Sequence, residues 1–310
     1  MSLSAPLTHL TTPVVSVCSD NYVLATRLKG YLGDHAGAVV LADEACRTFP
    51  DDMRLRCLRG EKRLIVRDLV GALADLELAA ATAAERTDVA EPRRAEVERD
   101  VIDMLLGRRP EVGTNRDTGS AGSPHAFMWR HLGIARYVVG RYDDAAAAFA
   151  MARTIAPDPM IHDWEYLALR RAGRDVEAAT LLTASATLAT DDDVTDLLRG
   201  PGLDGARTGR VLAAAYRQRL RLYRGETTPE ALLRADVTNP LATATLGHGV
   251  ASWYTLHGYQ SAAIRCLERV MSHGDPVSFA ALAAEHDATR AGLHVTPWRP
   301  PDPTPTAGTI

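Results

Sequence analysis

The stretch from Trp129 to Pro157, WRHLGIARYVVGRYDDAAAAFAMARTIAP, most narrows the folds open to this chain of 310 residues. Its apolar and small residues recur at intervals of three and four, which is the period of an amphipathic α-helix. Gly140 interrupts the pattern once, as a glycine does in a turn after a helix. Pro157 ends it because proline cannot continue a helix. The stretch therefore predicts two short helices that pack on each other as a hairpin.

The facing sides of these two helices combine small and large residues. Gly133 and Ala145 are small enough to let the helices approach closely, and Trp129 and Phe149 are large enough to fill the spaces beside them. The composition of the whole chain agrees with helices, because alanine, leucine and arginine are plentiful and β-branched residues are a minority. We therefore expect a fold built from helices that pack through small residues.

The same spacing recurs along the chain, which indicates a repeat. Ala38 is followed by Ala72 at a shift of 34 residues, and Gly140 is followed by Gly173 at a shift of 33. A single match of this kind is only moderately specific, whereas a series of them defines a repeat architecture. The other positions that share the pattern are Tyr22, Gly33, Ala45, Pro50, Gly60, Ala79, Ala178, Leu182, Gly258, Ala263, Leu267 and Val270.

This pattern resembles the tetratricopeptide repeat, a helix–turn–helix unit of 34 residues. The match reads W-x2-L-G, then G-x-Y, then A-x3-F-x2-A-x4-P, and it begins at Trp129. The resemblance implies an all-α fold in which paired helices stack into a right-handed superhelix with a concave face. Further helices outside the repeat are expected in VERDVIDMLL, which carries an apolar stripe from Val97 to Leu106, and in RVLAAAYRQRLRLYRG. Thr228 is the expected N-cap of a short helix that begins at Pro229.

The positions of proline, glycine and charged residues set the expected limits of the domain. Residues 19–292 are predicted to form one helical-repeat domain. Around it we expect an N-terminal extension over 1–18, a mobile loop at about 107–124, an irregular break at about 189–208 and a proline-rich tail over 293–310. Trp298 in this tail is a candidate to hold it against the body.

The bulk composition excludes several classes of partner. The formal net charge is −4, whereas nucleic-acid binding needs a cationic field that displaces counterions from phosphates. The N-terminal run does not have the pattern of a signal peptide, and no stretch of about eighteen uncharged apolar residues occurs. The four cysteines are scattered and form no CxxC pair. These observations predict a cytoplasmic protein with free thiols and with neither a nucleic-acid nor a membrane partner.

The predicted concave wall comes from the first helix of each pair. Equivalent places in the repeat hold Arg130, Asp163 and His248, so a cation, a carboxylate and an imidazole from three units converge on one surface. The neighbouring equivalent places include Arg27 and Glu61. Aromatic residues that lie close by along the chain provide stacking walls. The candidate ligand-binding residues are therefore Glu61, Arg130, Tyr137, Asp163, Trp164, His248 and Trp253.

The polar residues of this wall also have structural interpretations. Asp163 lies just before the body of a predicted helix, where it would act as a cap or meet the positive end of the helix dipole. Arg130 would be a solvated side chain. His131 lies beside the packing residues, where it would be a core histidine bonded to a carbonyl group. The sequence leaves these interpretations open.

A larger part of the chain, from Arg54 to Asp287, resembles a subfamily of tetratricopeptide-repeat proteins from bacteria and fungi to which no reaction is assigned. The shared pieces are Trp-x-His-Leu-Gly, Asp-Trp and Gly-x-Gly-Val-x-x-Trp-Tyr. Their counterparts are Trp129 and His131, Asp163 and Trp164, and Trp253 and Tyr254. This chain reads Arg-Gly-Glu-Lys over 59–62, where the subfamily pattern has Arg-Gly-His-Arg. The resemblance implies the fold and the choice of wall residues, and it implies no reaction.

Two functional hypotheses follow. In the first, the protein is a helical-repeat binding protein whose concave groove holds a peptide segment or a small polar ligand, with Arg130 pairing an acidic group. In the second, it is a cofactor-free lyase, isomerase or cyclase of specialised metabolism. Its acid–base residues would be His131 or His248 with Asp163 or Glu285. An open trough favours the first hypothesis with a protein partner, and a capped cavity with a buried histidine–carboxylate pair favours the second. Homodimerisation stays open.

No cofactor and no metal site are expected. His131 and His248 with Asp163 or Glu285 would supply a mixed nitrogen and oxygen ligand set, but no HxxxH or HxH spacing supports it. The sequence has no GxSxG motif, and no glycine-rich loop follows a predicted strand. Metal, nucleotide and serine-nucleophile chemistry are therefore not predicted.

Overall fold

The computed structural model of this protein describes residues 18–83, 123–188, 205–234 and 237–301. Within these ranges the backbone forms thirteen α-helices and one short 3₁₀ helix, and it forms no β-strand. The predicted all-α fold class is therefore confirmed. The predicted helix over 97–106 lies outside the described residues, as do residues 1–17 and most of the predicted loop and break.

The bounds of the helices follow the predicted hairpins closely. The first four are α1 (Ser19–Tyr31), α2 (His35–Thr48), α3 (Met53–Ile65) and α4 (Leu69–Ala83). The next four are α5 (Pro124–Val138), α6 (Tyr142–Ile155), α7 (Pro159–Arg171) and α8 (Asp175–Ala184), and the 3₁₀ helix Ser185–Leu188 follows them. The last five are α9 (Gly205–Tyr223), α10 (Pro229–Leu232), α11 (Pro240–Leu256), α12 (Gln260–His273) and α13 (Phe279–Arg290).

Side-chain caps explain where several helices begin. The Ser123 hydroxyl accepts a hydrogen bond from the Ala126 amide at 3.1 Å, so α5 begins at Pro124, inside the range predicted as a loop. The Thr228 hydroxyl caps α10 in the same way, as the sequence predicts. A cap of this kind satisfies an amide that the first turn of a helix leaves without a partner.

Consecutive helices pack as hairpins, and the hairpins pack side by side. The pairs are α1 with α2, α3 with α4, α5 with α6, α7 with α8, and α11 with α12. The first helices of these pairs form a continuous row in which α1 contacts α3, α3 contacts α5 and α5 contacts α7. Helix α9 continues the row, since it packs between α7 and α11. One face of the molecule is therefore built from α1, α3, α5, α7, α9 and α11.

The contact between α5 and α6 depends on a residue without a side chain. A Cβ atom added at Gly133 would lie 2.7 Å from the ring of Phe149, well inside van der Waals distance. The earlier pair of helices repeats the arrangement, because a Cβ at Gly60 would lie 2.7 Å from Leu76. In both cases the large residue follows the glycine by sixteen positions.

We expect Gly133→Ala to destabilise the fold by about 1–3 kcal/mol, because the added methyl group forces Phe149 out of its position in a tightly packed core. Gly209 is the matched control, because it lies exposed on α9 and a Cβ there would meet no atom within 4 Å. Gly209→Ala is expected to stabilise the helix by about 0.5–1 kcal/mol. Urea unfolding followed by circular dichroism measures both changes, and equal effects of the two substitutions would contradict this packing.

The turn between α3 and α4 uses an arginine where the other hairpin turns use glycine. Arg67 has a φ of 67°, a left-handed conformation that costs a residue with a side chain about 1–2 kcal/mol. Its guanidinium binds both carboxylate oxygens of Glu285 on α13, at 2.6 and 3.0 Å. This ion pair holds the strained turn and joins it to the last helix. The glycines in the matching turns are Gly33, Gly140, Gly173 and Gly258.

Helix α13 crosses the row of first helices. It packs against α12 and α11, and it also contacts α5 and α3, which lie far earlier in the chain. Beyond α13, the ring centroid of Trp298 lies 5.2 Å from the Arg67 guanidinium and 6.1 Å from the ring of His35. Trp298 thus holds the described part of the tail, residues 293–301, against the body. Because α13 crosses the first helices, it covers much of the face on which a groove was predicted.

Candidate ligand-binding cavity

A cavity of about 460 Å³ lies on the face formed by the row of first helices. Side chains from α1, α3, α5, α7, α9 and α11 line it, together with the start of α13 and the segment that leads into it. The repeat accounts for part of this wall, because Arg27 on α1 and Glu61 on α3 are 34 residues apart and face the same space. The cavity is therefore the space that α13 leaves unfilled on this face.

The wall formed by α1, α3 and α5 is strongly charged. Its charged members are Arg27, Glu61, Lys62 and Arg130. The Lys62 ammonium lies 3.2 Å from a carboxylate oxygen of Glu61. Burial alone would raise the pKa of Glu61, but the charges of Lys62 and Arg27 hold it below its usual range. Glu61 is thus ionised, and the described side chains of this wall comprise three cations and one anion.

Arg130 and His131 stand next to each other on this wall and are held differently. The Arg130 guanidinium lies 5.5 Å from the centroid of the Phe127 ring, one helical turn earlier. His131 is 1% exposed, and its Nδ1 lies 2.6 Å from the carbonyl oxygen of Phe127. A carbonyl only accepts hydrogen bonds, so Nδ1 carries the proton. Burial and the Arg130 charge lower the pKa of His131 to about 3, which keeps the ring neutral near pH 7.

His35, at the start of α2, contributes a second neutral imidazole to the cavity. It is 8% exposed, and its Nδ1 is buried without a hydrogen-bond partner among the described residues. Burial and the nearby charge of Lys62 lower the pKa of this histidine. Asp275, in the segment before α13, also lines the cavity, and its carboxylate accepts a hydrogen bond from the Val277 amide at 3.1 Å.

The rest of the cavity wall is mainly apolar. Phe279, the first residue of α13, packs its ring edge-on against His131 with the ring centroids 5.2 Å apart. Tyr216 of α9 also lines the cavity and is 2% exposed. The other apolar side chains from α7, α9 and α11 are Met160, Leu212 and Leu241.

Asp163, behind Tyr216, takes part in a buried ion pair. Its carboxylate lies 2.6 Å from the guanidinium of Arg219 on α9, and both side chains are 0% exposed. Arg219 also donates to the Thr245 carbonyl at 3.2 Å. Burial raises the pKa of Asp163, and the charge of Arg219 opposes this effect. Helix α7 begins at Pro159 and Asp158 caps it, so Asp163 is not the cap residue.

A second polar cluster anchors α13 to the row of first helices. Asp287 of α13 lies 3.3 Å from Nε2 of His248 and 2.8 Å from the guanidinium of Arg171. Arg290 binds the other carboxylate oxygen at 3.1 Å. Burial lowers the pKa of His248. Burial alone would raise the pKa of Asp287, but the His248 hydrogen bond and the Arg171 charge hold it below the ordinary value.

The structure divides the residues predicted as a site into three groups. Glu61, Arg130 and His131 line the cavity together. Four others lie in the interior, beyond Tyr216. The Trp164 indole connects this group to Tyr216, because it donates a hydrogen bond to the Tyr216 hydroxyl at 3.0 Å. The interior residues are Tyr137, Asp163, Trp164 and His248.

The remaining two predicted site residues lie apart from the cavity. Glu285 binds Arg67, as described above. Trp253 stacks on His257 with ring centroids 4.0 Å apart, on a part of α11 that does not line the cavity. The histidine–carboxylate pair that forms is His248 with Asp287, rather than His131 or His248 with Asp163 or Glu285.

Sequence reasoning did not identify His35, Lys62 and Asp275 as members of the site. Lys62 directly follows Glu61, so its proximity was a usable signal. His35 belongs to a second helix, which the repeat register assigns to the outer layer. Asp275 reaches the cavity only because α13 crosses the row of first helices, and no periodicity in the sequence marks that crossing.

Several other features bear on the chemistry of the chain. Among the described residues, no group of three or more His, Cys, Asp or Glu side chains is arranged to hold a metal ion. All four cysteines are free thiols. The described helices include none with the length and apolar character needed to cross a membrane.

Comparison with known proteins returns no match, neither to a protein-family model nor, at a significant level, to a curated protein. The cavity and the chemistry of its wall therefore carry the functional inference.

Proposed function

We propose that the chain is a tetratricopeptide-like helical-repeat protein that binds a small polar ligand in the cavity. Two features support the repeat assignment. Gly33 and Arg67, which are 34 residues apart, both have left-handed backbones in the turns of successive hairpins. The small-to-large contacts of Gly60 with Leu76 and of Gly133 with Phe149 recur at the same spacing.

The cavity itself is the observation that carries the binding function. Its volume of about 460 Å³ falls within the range of about 300–1,000 Å³ that is typical of small-molecule sites. A mainly apolar lining with a few convergent polar groups is also typical of such sites. An extended peptide in the predicted groove would have to displace α13, which Asp287 and Glu285 bind to α7, α11 and the α3–α4 turn. The geometry therefore favours a small ligand over a peptide segment.

The enzyme hypothesis has one observation in its favour, the buried pair of His248 and Asp287 on the covered face. Asp287 is already bound by Arg171 and Arg290, so it acts in this pair as an anchor of α13. His131 does line the cavity, but a histidine with a pKa of about 3 accepts protons poorly near pH 7. We therefore assign the cavity to binding rather than to acid–base catalysis.

Native mass spectrometry of the purified protein with a library of small polar compounds tests this function. We expect retained compounds to be lost from Met160→Trp, which fills the cavity from a half-buried position on α7. Arg130→Ala is expected to weaken their binding about tenfold or more, since a charge-assisted hydrogen bond contributes about 1.5–3 kcal/mol.

Arg265→Ala is the matched control, because Arg265 is exposed on α12 away from the cavity. This variant should bind as the parent protein does. Compounds that bind equally well to the parent protein and to Met160→Trp would place the binding site elsewhere and contradict the proposed function.

A further inference from the structure

Two neutral side chains of the cavity lining, His131 and Thr245, have their hydrogen-bonding state fixed by the protein. The Nδ1–H of His131 donates to the Phe127 carbonyl at 2.6 Å, so the neutral ring keeps a lone pair on Nε2. The Thr245 hydroxyl donates to the Leu241 carbonyl at 2.8 Å, so its oxygen is also left as an acceptor. Both protons are thus already used, and a ligand forms hydrogen bonds with these groups by donating to them.

His131 is the more informative of the two, because its second nitrogen has no partner. The side chain is 1% exposed, yet Nε2 has no hydrogen-bond partner among the described residues. Nδ1 is turned toward the backbone of α5, so Nε2 lies on the opposite edge of a ring that lines the cavity. A ligand that excluded water from the cavity without donating to Nε2 would leave this acceptor unsatisfied, which costs binding free energy.

The surroundings of Nε2 favour a neutral donor on an apolar body. The His131 ring packs against the rings of Phe127 and Phe279, with centroids 4.0 and 5.2 Å away. Burial and the Arg130 charge lower the pKa of His131, and the same surroundings disfavour an ammonium group placed beside it. A carboxylate has no proton to donate to this nitrogen. The donors that remain are a hydroxyl group and an uncharged N–H.

A hydroxyl group fits this wall better than an N–H, because it accepts a hydrogen bond while it donates one. The Lys62 ammonium, on the neighbouring helix α3, also lines the cavity. Its contact with Glu61, at 3.2 Å, uses one of its three N–H donors. A ligand hydroxyl on this wall therefore finds an acceptor in His131 and a donor in Lys62.

On these grounds we propose that the cavity binds a neutral alcohol or phenol with an apolar ring body, and that Nε2 of His131 is the acceptor that recognises its hydroxyl group. The assignment rests on the proposed binding function. Thr245, on α11, offers a second acceptor to the same ligand. His131 then determines specificity and transfers no proton.

A matched series of probes tests this class by equilibrium dialysis on the full chain at pH 7. The probes are 2-naphthol, its methyl ether 2-methoxynaphthalene, 2-fluoronaphthalene and 2-naphthoate. They share one ring body, and only 2-naphthol donates a hydrogen bond. We expect 2-naphthol to bind about tenfold or more tightly than each of the other three.

His131→Phe identifies the origin of this preference, because phenylalanine keeps a ring at this position and removes the acceptor. We expect the affinity of this variant for 2-naphthol to fall to that for 2-fluoronaphthalene, whose own affinity stays unchanged. His257→Phe is the matched control, because His257 makes the same contact with a carbonyl one turn back but is exposed and lies away from the cavity. This variant should keep the full preference for 2-naphthol.

A spectrum of the parent protein tests the acceptor even where His131→Phe folds poorly. Long-range ¹H–¹⁵N correlation distinguishes protonated from unprotonated ring nitrogens of a histidine. We expect Nε2 of His131 to be unprotonated at pH 7 and its signal to shift when 2-naphthol is added. The signal should not shift in the same direction when 2-fluoronaphthalene is added. A protonated Nε2 at this pH would overturn the inference.

The outcomes separate this inference from the proposed function. Equal or tighter binding of the ether, the fluoride or the carboxylate would overturn the hydroxyl class and leave the binding function in place. Failure of 2-naphthol to bind would also overturn the class. The proposed function itself fails only when compounds retained in the library experiment ignore the cavity-filling Met160→Trp substitution.

Discussion

Replacing Asp163 by leucine is expected to destabilise the fold by about 3–5 kcal/mol, the cost of breaking a buried ion pair by removing one partner. The carboxylate lies 2.6 Å from the Arg219 guanidinium, and water reaches neither side chain. Without Asp163 the guanidinium keeps its charge, because arginine does not give up its proton in proteins. The buried cation then has no counterion in the described interior, and α7 and α9 lose one of the contacts between them.

The double substitution Asp163→Leu with Arg219→Met is expected to recover most of this loss, because well-packed apolar residues often replace a buried ion pair without net cost. Urea unfolding at pH 8 of the parent, both single variants and the double variant gives the coupling energy directly. The exposed pair of Arg174 and Glu177, 2.6 Å apart, is the control and should show a coupling of less than about 1 kcal/mol. A coupling as small for Asp163 and Arg219 would contradict their burial.

Acid is expected to destabilise the protein below pH 6.5, and the buried His131 is one of the groups responsible. The folded pKa of this histidine is about 3, below its ordinary value of 6.5, so the unfolded chain binds the proton first as pH falls. Stability is then lost at up to about 1.4 kcal/mol per pH unit, or about 3 kcal/mol between pH 6.5 and pH 4. His131→Gln should flatten this dependence when unfolding is measured across that range.

His257 provides the matched control for the acid experiment. Its Nδ1 bonds to the Trp253 carbonyl at 2.7 Å, the same contact one helical turn back that His131 makes with Phe127. His257 is exposed whereas His131 is buried, so His257→Gln removes the same kind of contact without removing a buried imidazole. We expect this variant to flatten the pH dependence less than His131→Gln does. The burial of His131 would be contradicted if the two variants showed the same slope.

The hairpins could be predicted from the sequence because the residues that pack within each hairpin lie close together along the chain. Gly133 and Phe149 sit at helical spacing around a glycine turn, and that spacing alone places them in contact. The same register brought Arg27 and Glu61 to one wall, since residues 34 apart occupy equivalent places in neighbouring hairpins. The register also placed Arg130 on this wall, whereas His131 was considered as an acid–base candidate or as a core histidine beside the packing residues.

The crossing of α13 could not be predicted, because it depends on contacts between residues far apart in the chain. Glu285 and Arg67 are separated by 218 positions, and no repeat spacing relates them. Arg67 occupies a turn position where the matching hairpins have glycine. It does so because the ion pair with Glu285 holds a conformation that its backbone alone disfavours. Asp163 was predicted to face a groove, but it pairs with Arg219 in the interior. Arg219 belongs to a helix outside the repeat, so no repeat spacing relates the two residues.

The identity of the cavity as a ligand site is tested most directly by a crystal structure of the protein grown with a compound retained in the library experiment. We expect electron density for one molecule of that compound inside the cavity, in contact with Arg130 and Met160. Density for the compound only at another surface, with the cavity empty at a concentration that saturates binding in solution, would contradict the account.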